Sequence, residues 1–489
     1  MEKKESLFIG LDLGTTHIKA VAYNKYAEIK GVSRIVTPAH VNQNGGTYHL
    51  ADELWKNTIK VIQDCLEQIQ GNRVKGIGIA SAAESGVLLD KQGDPVGPIL
   101  AWYDERPNKY IENVKNKVPA LDFYRKTGLY PKAKYSLMKF IWMKNNMRDS
   151  WKKGSSWLHL AEYIAYRMTG VKRNEISLSS RTMLFNINTR QWDEELLREF
   201  SINNDLFEPI VQSGQITGYL KKEISKGLNI TEGIPITIAG HDHIVGSFGI
   251  GSVHDGDVTN SCGTAETLVA TTNQFNIENI KEIPKFTIGC HVIPNQNYIL
   301  MPVGTTGGII EWFLNIMKWD YDDLLDTLSK KNSYNNSLSF MPAPMGDFSS
   351  NIHTQMAWFG GALSHAYPSQ MATAMIQGLS FLFKYQIDYL KELGIDIDRI
   401  MVTGGAIKNK YWLQSKSDIL YKSLQIIHDS EGVARGAAIM AAKASEEISE
   451  ISVPSSYTII PDEKSSKEMQ SIYKNSYINN IKNIRNMSL

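Results

Sequence analysis

A short hairpin motif occurs twice in this chain, and its repetition constrains the fold more than any other feature of the sequence. Residues 7–24 read as a buried strand, a tight turn beginning at Gly14 and a returning strand. Residues 257–271 repeat that pattern around Gly263. The two glycines are 263 − 14 = 249 residues apart, which is about half of the 489-residue chain. The repeat therefore indicates a fold made of two similar halves.

The remaining pattern predicts that each half is an α/β domain. A chain of 489 residues is too long for one hydrophobic core, and we place the domains at residues 1–248 and 249–489. Strands and helices alternate, which predicts α/β domains with mixed sheets. We expect helices over 52–70, with Asp52 as N-cap, 135–144, 157–168 and 370–393 and from residue 432, and strands over 74–81, 235–239 and 399–403. The polar tail after Ser445 is expected to be loosely attached.

Composition favours a small-molecule ligand. Basic and acidic residues number 52 and 51, so the net charge of +1 provides no field for nucleic acid or a membrane surface. No apolar run is long enough to span a bilayer, and the N-terminus shows no apolar leader. The three cysteines are widely separated, which is typical of a reducing compartment. A cytoplasmic location is therefore expected.

The first hairpin carries the residue types that a nucleotide phosphate requires. Gly14 lets backbone N–H groups approach closely, Thr15 and Thr16 add hydroxyl donors, and Asp12 could hold a hydrated Mg²⁺. One such hairpin alone would be an ordinary turn, but two at half-chain spacing favour phosphate binding. The chain has no Walker loop and no complete GxGxxG sequence. A P-loop enzyme and a Rossmann dehydrogenase are thus disfavoured.

Two glycine pairs in the second half suggest further nucleotide contacts. Gly307 and Gly308 precede a predicted helix, and Gly404 and Gly405 follow a predicted strand. Glycine at a helix entry lets a ring or a phosphate approach exposed N–H groups. Each pair alone could be a simple turn or a close packing site. Together they are interpreted as walls of a nucleotide cleft.

Five segments resemble motifs of the FGGY carbohydrate kinases, the group that contains xylulokinase, gluconokinase and glycerol kinase. They are GLDLGTTHIKA, YSLMKFIWM, NSCGTAET, VTGGAIKNKYWLQSKSDIL and GVARGAAIMAA, in the order of the family. The resemblance covers residues 7 to about 445. It implies two ribonuclease H-like domains of the actin and hexokinase type with an ATP cleft between them. It also implies ATP and Mg²⁺, a small-molecule sugar substrate and a homodimer.

The resemblance assigns roles to specific residues. Asp242, in the family's Gly-x-Asp position, is implied as the general base that accepts the sugar's proton, and Asp12 and Asp242 as metal ligands. We expect the dipole of the following helix to keep Asp242 ionised, although an aspartate there could be a plain N-cap. The implied nucleotide contacts are Asp12, Gly14, Thr15, Thr16, Lys19, Gly263, Thr264, Gly307, Gly308, Glu311, Gly404, Gly405, Ala406 and Asn409. Two departures stand out: FMPAPMGDFSS lacks the family's Gly-Glu-Arg loop, and Glu311 replaces a glutamine.

The sugar pocket is expected at two segments, SAAESGVLLD and ILAWYDER. Its predicted residues are Ala83, Glu84, Trp102, Asp104 and His243. A buried carboxylate at Glu84 would accept hydroxyl hydrogen bonds, although a solvent-facing turn glutamate is an equal alternative. Trp102 offers an apolar face to sugar C–H groups. A core tryptophan beside a surface ion pair of Asp104 and Arg106 is the simpler alternative.

The sequence favours a sugar kinase and leaves the sugar open. Asp104 agrees with xylulokinase-like sequences and favours a ketopentose. Glu84 keeps a polyol or a sugar acid open, and we expect a free carboxylate there to repel gluconate. An actin-like or chaperone-like ATPase without a sugar substrate and a pseudokinase that only binds sugar are the alternatives.

Overall fold

The computed structural model describes residues 5–43, 45–69, 73–273, 275–330, 338–342, 357–361, 366–428, 431–447 and 454–481. Its contacts divide the chain into two compact units. The first contains the described residues of Met1–Val253, Asn276–Tyr298 and Glu431–Pro454, and the second those of His254–Phe275, Ile299–Ser430 and Ser455–Leu489. The change near residue 253 lies close to the division expected from the sequence. Two later segments, however, belong to the first unit rather than the second.

Strands and helices alternate through both units. The strands are β1 (Ser6–Leu13), β2 (His17–Asn24), β3 (Ile29–Val36), β4 (His40–Val41), β5 (Thr47–His49), β6 (Arg73–Ser81), β7 (Gly86–Leu89), β8 (Ile99–Leu100), β9 (Ser156–His159), β10 (Asn174–Glu175), β11 (Phe185–Asn186), β12 (Gln191–Trp192), β13 (Ile210–Val211), β14 (Ile216–Tyr219), β15 (Pro235–His241), β16 (Asp257–Cys262), β17 (Glu266–Thr272), β18 (Thr287–Cys290), β19 (Asn297–Gly304), β20 (Leu338–Pro342), β21 (Ala357–Gly361), β22 (Arg399–Thr403), β23 (Leu424–Ile427) and β24 (Ser456–Ile459). The helices are α1 (Ala51–Gln68), α2 (Ile111–Lys117), α3 (Ala120–Thr127), α4 (Ser136–Asn146), α5 (Arg148–Lys153), α6 (Leu160–Thr169), α7 (Ile176–Ser179), α8 (Glu194–Glu199), α9 (Lys222–Leu228), α10 (Asp242–Gly249), α11 (Thr306–Met317), α12 (Tyr321–Ser329), α13 (Pro368–Glu392), α14 (Lys410–Leu420), α15 (Gly432–Ala444) and α16 (Glu463–Ile472). Short 3-10 helices cover Arg106–Tyr110, Asn204–Leu206, Ile277–Asn279 and Gly405–Lys408, and a π-helical turn covers Tyr473–Tyr477.

The main sheet of the first unit has six strands in the order β14-β15-β6-β1-β2-β3. β1 is antiparallel to β2 and parallel to β6, which is parallel to β15. Alternate residues of β1 enter two different cores. Leu7, Ile9 and Leu11 pack with residues of α1 and α6, while Phe8 packs with alanines of α15 on the other face. A strand covered on both faces reads as a continuous apolar run, which is why LFIGLDL is recognisable in the sequence.

Helix α15 belongs to the first unit because its backbone lies directly on the sheet. A Cβ added at Gly10 would come within 1.8 Å of the carbonyl oxygen of Ala434, and one at Gly78 within 2.0 Å of that of Ala437. Only glycine on the strands allows so close an approach. The predicted domain boundary at residue 248 assigns α15 to the second domain. The local pattern of residues 432–444 does not indicate which sheet the helix covers.

The second unit repeats the strand order of the first. Its strands lie in the order β19-β17-β16-β22-β23-β24. β16 is antiparallel to β17 and parallel to β22, which is parallel to β23. The series β15-β6-β1-β2 of the first unit therefore corresponds to β23-β22-β16-β17. The predicted duplicated α/β fold is confirmed.

Most predicted helices are confirmed, and three expectations are wrong. Residues 157–168 do not form one helix, because β9 pairs with β7 and the buried His159 then caps α6. The N-cap of α1 is Leu50, and Asp52 lies in the first turn. The described part of the tail after Ser445 is not loosely attached: Met469 and Tyr473 are buried against Phe381.

Within the described part of the chain, no helix combines the length and the apolarity needed to cross a bilayer. The segment FMPAPMGDFSS, where the family's Gly-Glu-Arg loop is missing, extends beyond β20 into residues 343–350, which lie outside the described residues.

Candidate active site

Three parallel strands of the first unit end side by side and carry the predicted acidic residues. Leu13 of β1 is the register partner of Ser81 of β6, and Ser81 is the partner of His241 of β15. Asp12 lies one residue before the end of β1, Glu84 three residues after β6, and Asp242 directly after β15. The carboxyl ends of parallel strands are where α/β proteins place their ligands. The fold thus gathers three carboxylates that are distant in sequence.

The turn between β1 and β2 is exposed to solvent, and hydrogen bonds fix its backbone. The N–H of Gly14 donates to the carbonyl of His17, and the hydroxyl of Thr37 donates to the carbonyl of Gly14 at 2.7 Å. Thr15 and Thr16 are exposed. Trp102 Nε1 donates to Thr15 Oγ1 at 2.8 Å, so the hydroxyl hydrogen of Thr15 is available to an acceptor. The turn can therefore present hydrogen-bond donors to an anion.

Lys19, a predicted nucleotide contact, already has a carboxylate partner. Its Nζ lies 2.9 Å from Oε2 of Glu431, the residue that precedes α15. This pair joins β2 to the start of α15. A direct role of Lys19 with nucleotide stays a prediction.

The carboxyls of Asp12 and Asp242 both have strongly raised pKa values. Burial, followed by the charge of Asp242, raises the pKa of Asp12 to about 7. Burial also raises the pKa of Asp242 to about 7, although the N–H of His243 donates to its Oδ1 at 2.7 Å. Desolvation penalises the charged form of a carboxyl, and a nearby like charge adds to that effect. The two side chains thus form a site that favours a cation or a proton.

The expectation that the helix dipole keeps Asp242 ionised is wrong. Asp242 is the first residue of α10, and His241 is the N-cap. The dipole stabilises a carboxylate by at most about 2 kcal/mol in a partly buried site, and here the cost of desolvation is larger. Asp242 is consequently a stronger base than an ordinary aspartate once it is ionised.

The backbone before Asp242 is fixed by residues that the sequence did not reveal. Gly240 has φ 120°, and a Cβ there would lie 2.4 Å from Oγ of Ser177. That hydroxyl accepts from the N–H of His241 at 3.0 Å and donates to Glu175 at 2.7 Å. Ser177 and Glu175 come from the β10–α7 segment, some 65 residues earlier. The only local signal was the glycine in Gly-His-Asp.

Glu84 is a buried residue under strong local constraint. It has a left-handed backbone with φ 65°, uncommon for a residue with a side chain. Nζ of the buried Lys139 donates to its carbonyl at 2.6 Å. Arg181 Nη2 and Nε donate to its Oε1 at 2.7 and 3.0 Å. The alternative of a solvent-facing glutamate is therefore wrong, and so is the expectation of a free carboxylate that repels gluconate.

Arg181 is a further residue that sequence reasoning missed. It is fully buried, and its Nη1 donates to Thr287 Oγ1 at 3.1 Å. Its guanidinium lies 5.1 Å from the ring centre of Tyr135. Arg181 and the neighbouring basic groups hold the pKa of the Glu84 carboxyl well below its usual range despite burial. Because 97 residues separate Arg181 from Glu84, the local pattern could not reveal the pair.

The other predicted sugar residues lie in different settings. Trp102 is half-buried beside the first turn, and Ala83 is buried next to Glu84. Asp104 is not a surface residue: its side chain is fully buried, and both oxygens accept from Nε of Arg106. His243 is exposed, with its ring 5.6 Å from that of His241.

In the second unit, three predicted glycine sites meet at one turn. A Cβ at Gly307 would lie 2.4 Å from the carbonyl oxygen of Gly263, and one at Gly404 would lie 2.5 Å from that of Cys262. The N–H of Gly308 donates to the carbonyl of Thr264 at 3.2 Å. The start of α11 and the end of β22 therefore pack on the β16–β17 turn. The predicted association of these segments has a steric cause.

A buried ammonium lies beneath that turn. Lys416 Nζ donates to Glu266 Oε1 at 2.6 Å, to Asn260 Oδ1 at 2.9 Å and to Cys262 Sγ at 3.2 Å. Lys416 and Glu266 are both fully buried, and the ring of Trp412 lies 4.4 Å from the ammonium. A buried pair with this many partners fixes the position of the strand ends that carry the turn.

Some of the remaining predicted nucleotide residues are accessible, and others are buried or stabilise the fold. Gly405 has no atom near its missing Cβ, and Glu311 is exposed on α11. Ala406 is buried. The Asn409 side chain caps α14 by accepting from the N–H of Trp412 at 3.0 Å. Asn409 therefore has a structural role that the sequence did not predict.

The carboxylates of the first unit suit Mg²⁺ better than a metal ion that is bound by protein side chains alone. No group of three or more His, Cys, Asp or Glu residues suited to a metal occurs among the described residues. Asp12 and Asp242 offer carboxylate oxygens only. Mg²⁺ keeps several waters and is usually bound by one or two carboxylates plus substrate phosphates. The pair is sufficient for such an ion.

Comparisons with known proteins identify the family of the chain. The model of the N-terminal domain of the FGGY family of carbohydrate kinases matches residues 7–249, and that of its C-terminal domain matches residues 258–445. The chain is 26% identical to the xylulose kinase of Staphylococcus xylosus, covering 96% of this chain and 99% of that protein. It is 26% identical to the glycerol kinase of Thermococcus kodakarensis, covering 90% and 88%. The ligand-bound xylulose kinase of Lactobacillus acidophilus has the same fold, with a TM-score of 0.86 at 21% identity and 96% of each chain covered. The chain thus has the actin and hexokinase type of fold, belongs to the FGGY family of carbohydrate kinases and is an ATP-dependent sugar kinase.

Proposed function

We propose that this kinase binds its sugar beside Glu84 and uses Asp242 as the base that accepts the proton of the phosphorylated hydroxyl. One observation carries the proposal: Glu84 and Asp242 follow adjacent parallel strands. The pKa of Asp242, which is raised to about 7, supports it further. A base is most effective when its pKa lies near the working pH. Glu84 is already ionised by its pairing with Arg181, so the two carboxyls are suited to different tasks.

The proposed reaction forms one bond and breaks one bond at phosphorus. The sugar oxygen attacks the γ-phosphorus of ATP, the bond to the leaving ADP oxygen breaks, and the hydroxyl proton passes to the Asp242 carboxylate. Catalysis in phosphoryl transfer comes mostly from positioning and from stabilisation of charge. The contacts of Gly240 and His241 with Ser177 hold the base in place.

Magnesium is the proposed metal, and Asp12 and Asp242 are its proposed ligands. When bound, the ion would neutralise charge on the transferred phosphoryl group. The raised pKa values of both carboxyls support this assignment, because a pair of desolvated carboxylates is stabilised by a cation.

The proposed nucleotide contacts comprise two glycine turns and one strand end. Thr15 and Thr16 at the first turn are exposed, and Thr15 retains a hydroxyl hydrogen to donate. In the second unit the turn at Gly263 is supported by Lys416, and Gly405 leaves open space for a ligand atom. These features support phosphate binding at the turns and nucleoside binding near Gly405.

The ketopentose assignment stays a prediction. It rested on Asp104, whose carboxylate is neutralised by Arg106 within this chain. Trp102, half-buried and tied to Thr15, supports a sugar ring or chain between the acidic residues and the first turn. The relatives include kinases named for xylulose and for glycerol, so a polyol also stays a candidate.

The base assignment is tested by replacing Asp242 with Asn. We expect turnover in a coupled ADP assay to fall by about 10³-fold or more, because phosphoryl transfer then lacks its proton acceptor, while ATP binding by calorimetry is retained. Asp52→Asn is the matched control, because Asp52 also lies in the first turn of a helix and is largely exposed. Sugar-dependent turnover near the wild-type rate in Asp242→Asn would refute the assignment. Vigorous ATP hydrolysis that no sugar changes would instead favour an ATPase.

A further inference from the structure

Cations outnumber carboxylates around Glu84. Arg181 places two nitrogens on Oε1 of Glu84, at 2.7 and 3.0 Å. Lys134 Nζ approaches the same oxygen at 3.9 Å. Among the described residues Lys134 makes no hydrogen bond, and its side chain is about two-thirds buried. One negative charge therefore faces two positive charges.

A third basic group lies next to Lys134. Lys132 is half-buried, and burial followed by the charge of Lys134 lowers its pKa to about 8. Burial lowers the pKa of Lys134 to about 8 as well, despite the attraction of Glu84. For Lys134, the attraction of Glu84 therefore does not fully offset the cost of desolvation. Unbalanced charge of this kind is a mark of ligand sites.

The other carboxylates near the pocket do not balance this charge. Asp104 is neutralised by Arg106. The charges of Glu84 and Arg181 act on Asp242 with opposite signs, and the charge of Asp242 in turn raises the pKa of Asp12. The charge of Lys134 instead acts on Glu84 and on His243. The surplus charge beside Glu84 is thus positive.

We propose that the acceptor is a sugar acid, a polyhydroxy carboxylate of the aldonate type, whose carboxylate binds Lys134. The inference rests on the proposed function and specifies its substrate. Glu84, held by Arg181 through Oε1, accepts hydroxyl hydrogen bonds at Oε2, while the carboxylate of the substrate neutralises the cations beside it. The hydroxyl that is phosphorylated is the one bound at Asp242.

The test is a coupled ADP assay with compounds matched in carbon number. Aldonates, the corresponding alditols, ketoses and ketose phosphates are compared on the wild type, Lys134→Met, Lys134→Arg and Lys25→Met. Lys25 lies over the ring of Tyr26 at 5.0 Å, as Lys134 lies over that of Tyr135 at 5.2 Å, but on the exposed β2–β3 turn. It is therefore a matched control for the loss of one lysine.

We expect the wild type to have its highest kcat/KM with an aldonate. Lys134→Met should reduce the preference for that aldonate over its alditol by about 10- to 100-fold, mainly through KM, since a hydrogen bond to a charged group has that worth. Lys134→Arg should retain most of the preference, and Lys25→Met all of it.

Three outcomes would overturn the inference and leave the proposed function intact. A neutral sugar or polyol could be phosphorylated at least as well as every aldonate. A sugar phosphate could be the best acceptor, which would assign the lysines to a phosphate. Lys134→Met could lower turnover of all acceptors by one factor, which would place Lys134 at the transferred phosphoryl group. If no compound stimulates ADP formation, the proposed function itself fails.

Discussion

Replacing Asp242 by Asn should stabilise the ligand-free protein while it removes activity. Burial raises the pKa of the Asp242 carboxyl from 3.8 to about 7, so the folded chain holds an ionised group there at a cost. Asparagine has the same shape and keeps an oxygen that can accept from the N–H of His243. The substitution therefore removes the cost of the charge and little else.

The sign of the pH dependence follows from proton binding. The unfolded side chain loses its proton near pH 3.8, and the folded one near pH 7. Between these values the folded state binds more protons than the unfolded state, so the free energy of unfolding falls as the pH rises. The contribution of Asp242 is fully favourable below pH 3.8 and is lost by about pH 7.

The size of the change in the free energy of unfolding is set by the difference between the two pKa values. A change from 3.8 to about 7 corresponds to about 4 kcal/mol, at about 1.4 kcal/mol for each pKa unit. About 21% of the Asp242 side chain is exposed, so water reduces the penalty. We expect Asp242→Asn to increase the free energy of unfolding by about 2 to 4 kcal/mol at pH 8, and by much less near pH 4.

Urea unfolding at several pH values, without nucleotide and with a chelator, measures this difference. Asp52→Asn is the control for the removal of a carboxylate at a helix start, and it should change stability little because its side chain is 77% exposed. The reasoning is refuted if Asp242→Asn is no more stable than the wild type at pH 8. A gain that is the same at pH 4 and pH 8 would also contradict it, since the charge would then not be the cause.

Two further predictions concern the support of the fold. Lys416→Met should lower the free energy of unfolding by about 3 to 5 kcal/mol because it leaves Glu266 buried and unpaired, and the added change Glu266→Gln should restore most of the loss in urea unfolding. Equal losses in the single and the double variant would contradict this. Gly78→Ala should cost about 3 kcal/mol, because its Cβ would lie 2.0 Å from the carbonyl oxygen of Ala437. Its control, Gly227→Ala in α9, meets no atom within 4 Å and should gain about 0.5 to 1 kcal/mol, so equal melting shifts would disprove the steric argument.

Sequence reasoning correctly predicted the structural features that short segments encode. The buried strands, the paired hairpins and the position of Asp242 after β15 follow from apolar runs and glycines within about twenty residues. It failed for features whose physical cause is a residue far away in the chain. The ionisation of Glu84 depends on Arg181, and the backbone at Gly240 depends on Ser177. Such partners become neighbours only through the sheet, so local patterns cannot predict the pKa values that decide the chemistry.

The duplicated fold is chemically asymmetric, and this asymmetry explains why the repeat predicts the architecture better than the reaction. In the first unit, β1, β6 and β15 lead to Asp12, Glu84 and Asp242. The corresponding strands β16, β22 and β23 end at the uncharged Cys262, Thr403 and Ile427. At the offset of 249 residues, Asp12 corresponds to Ser261. Beneath the second turn the chain instead places the ammonium of Lys416, which holds the strand ends and is fully buried. The shared hairpin therefore accounts for two similar turns that are proposed to bind phosphate, whereas the groups proposed to bind the cation, the sugar and the proton all belong to the strand ends of the first unit.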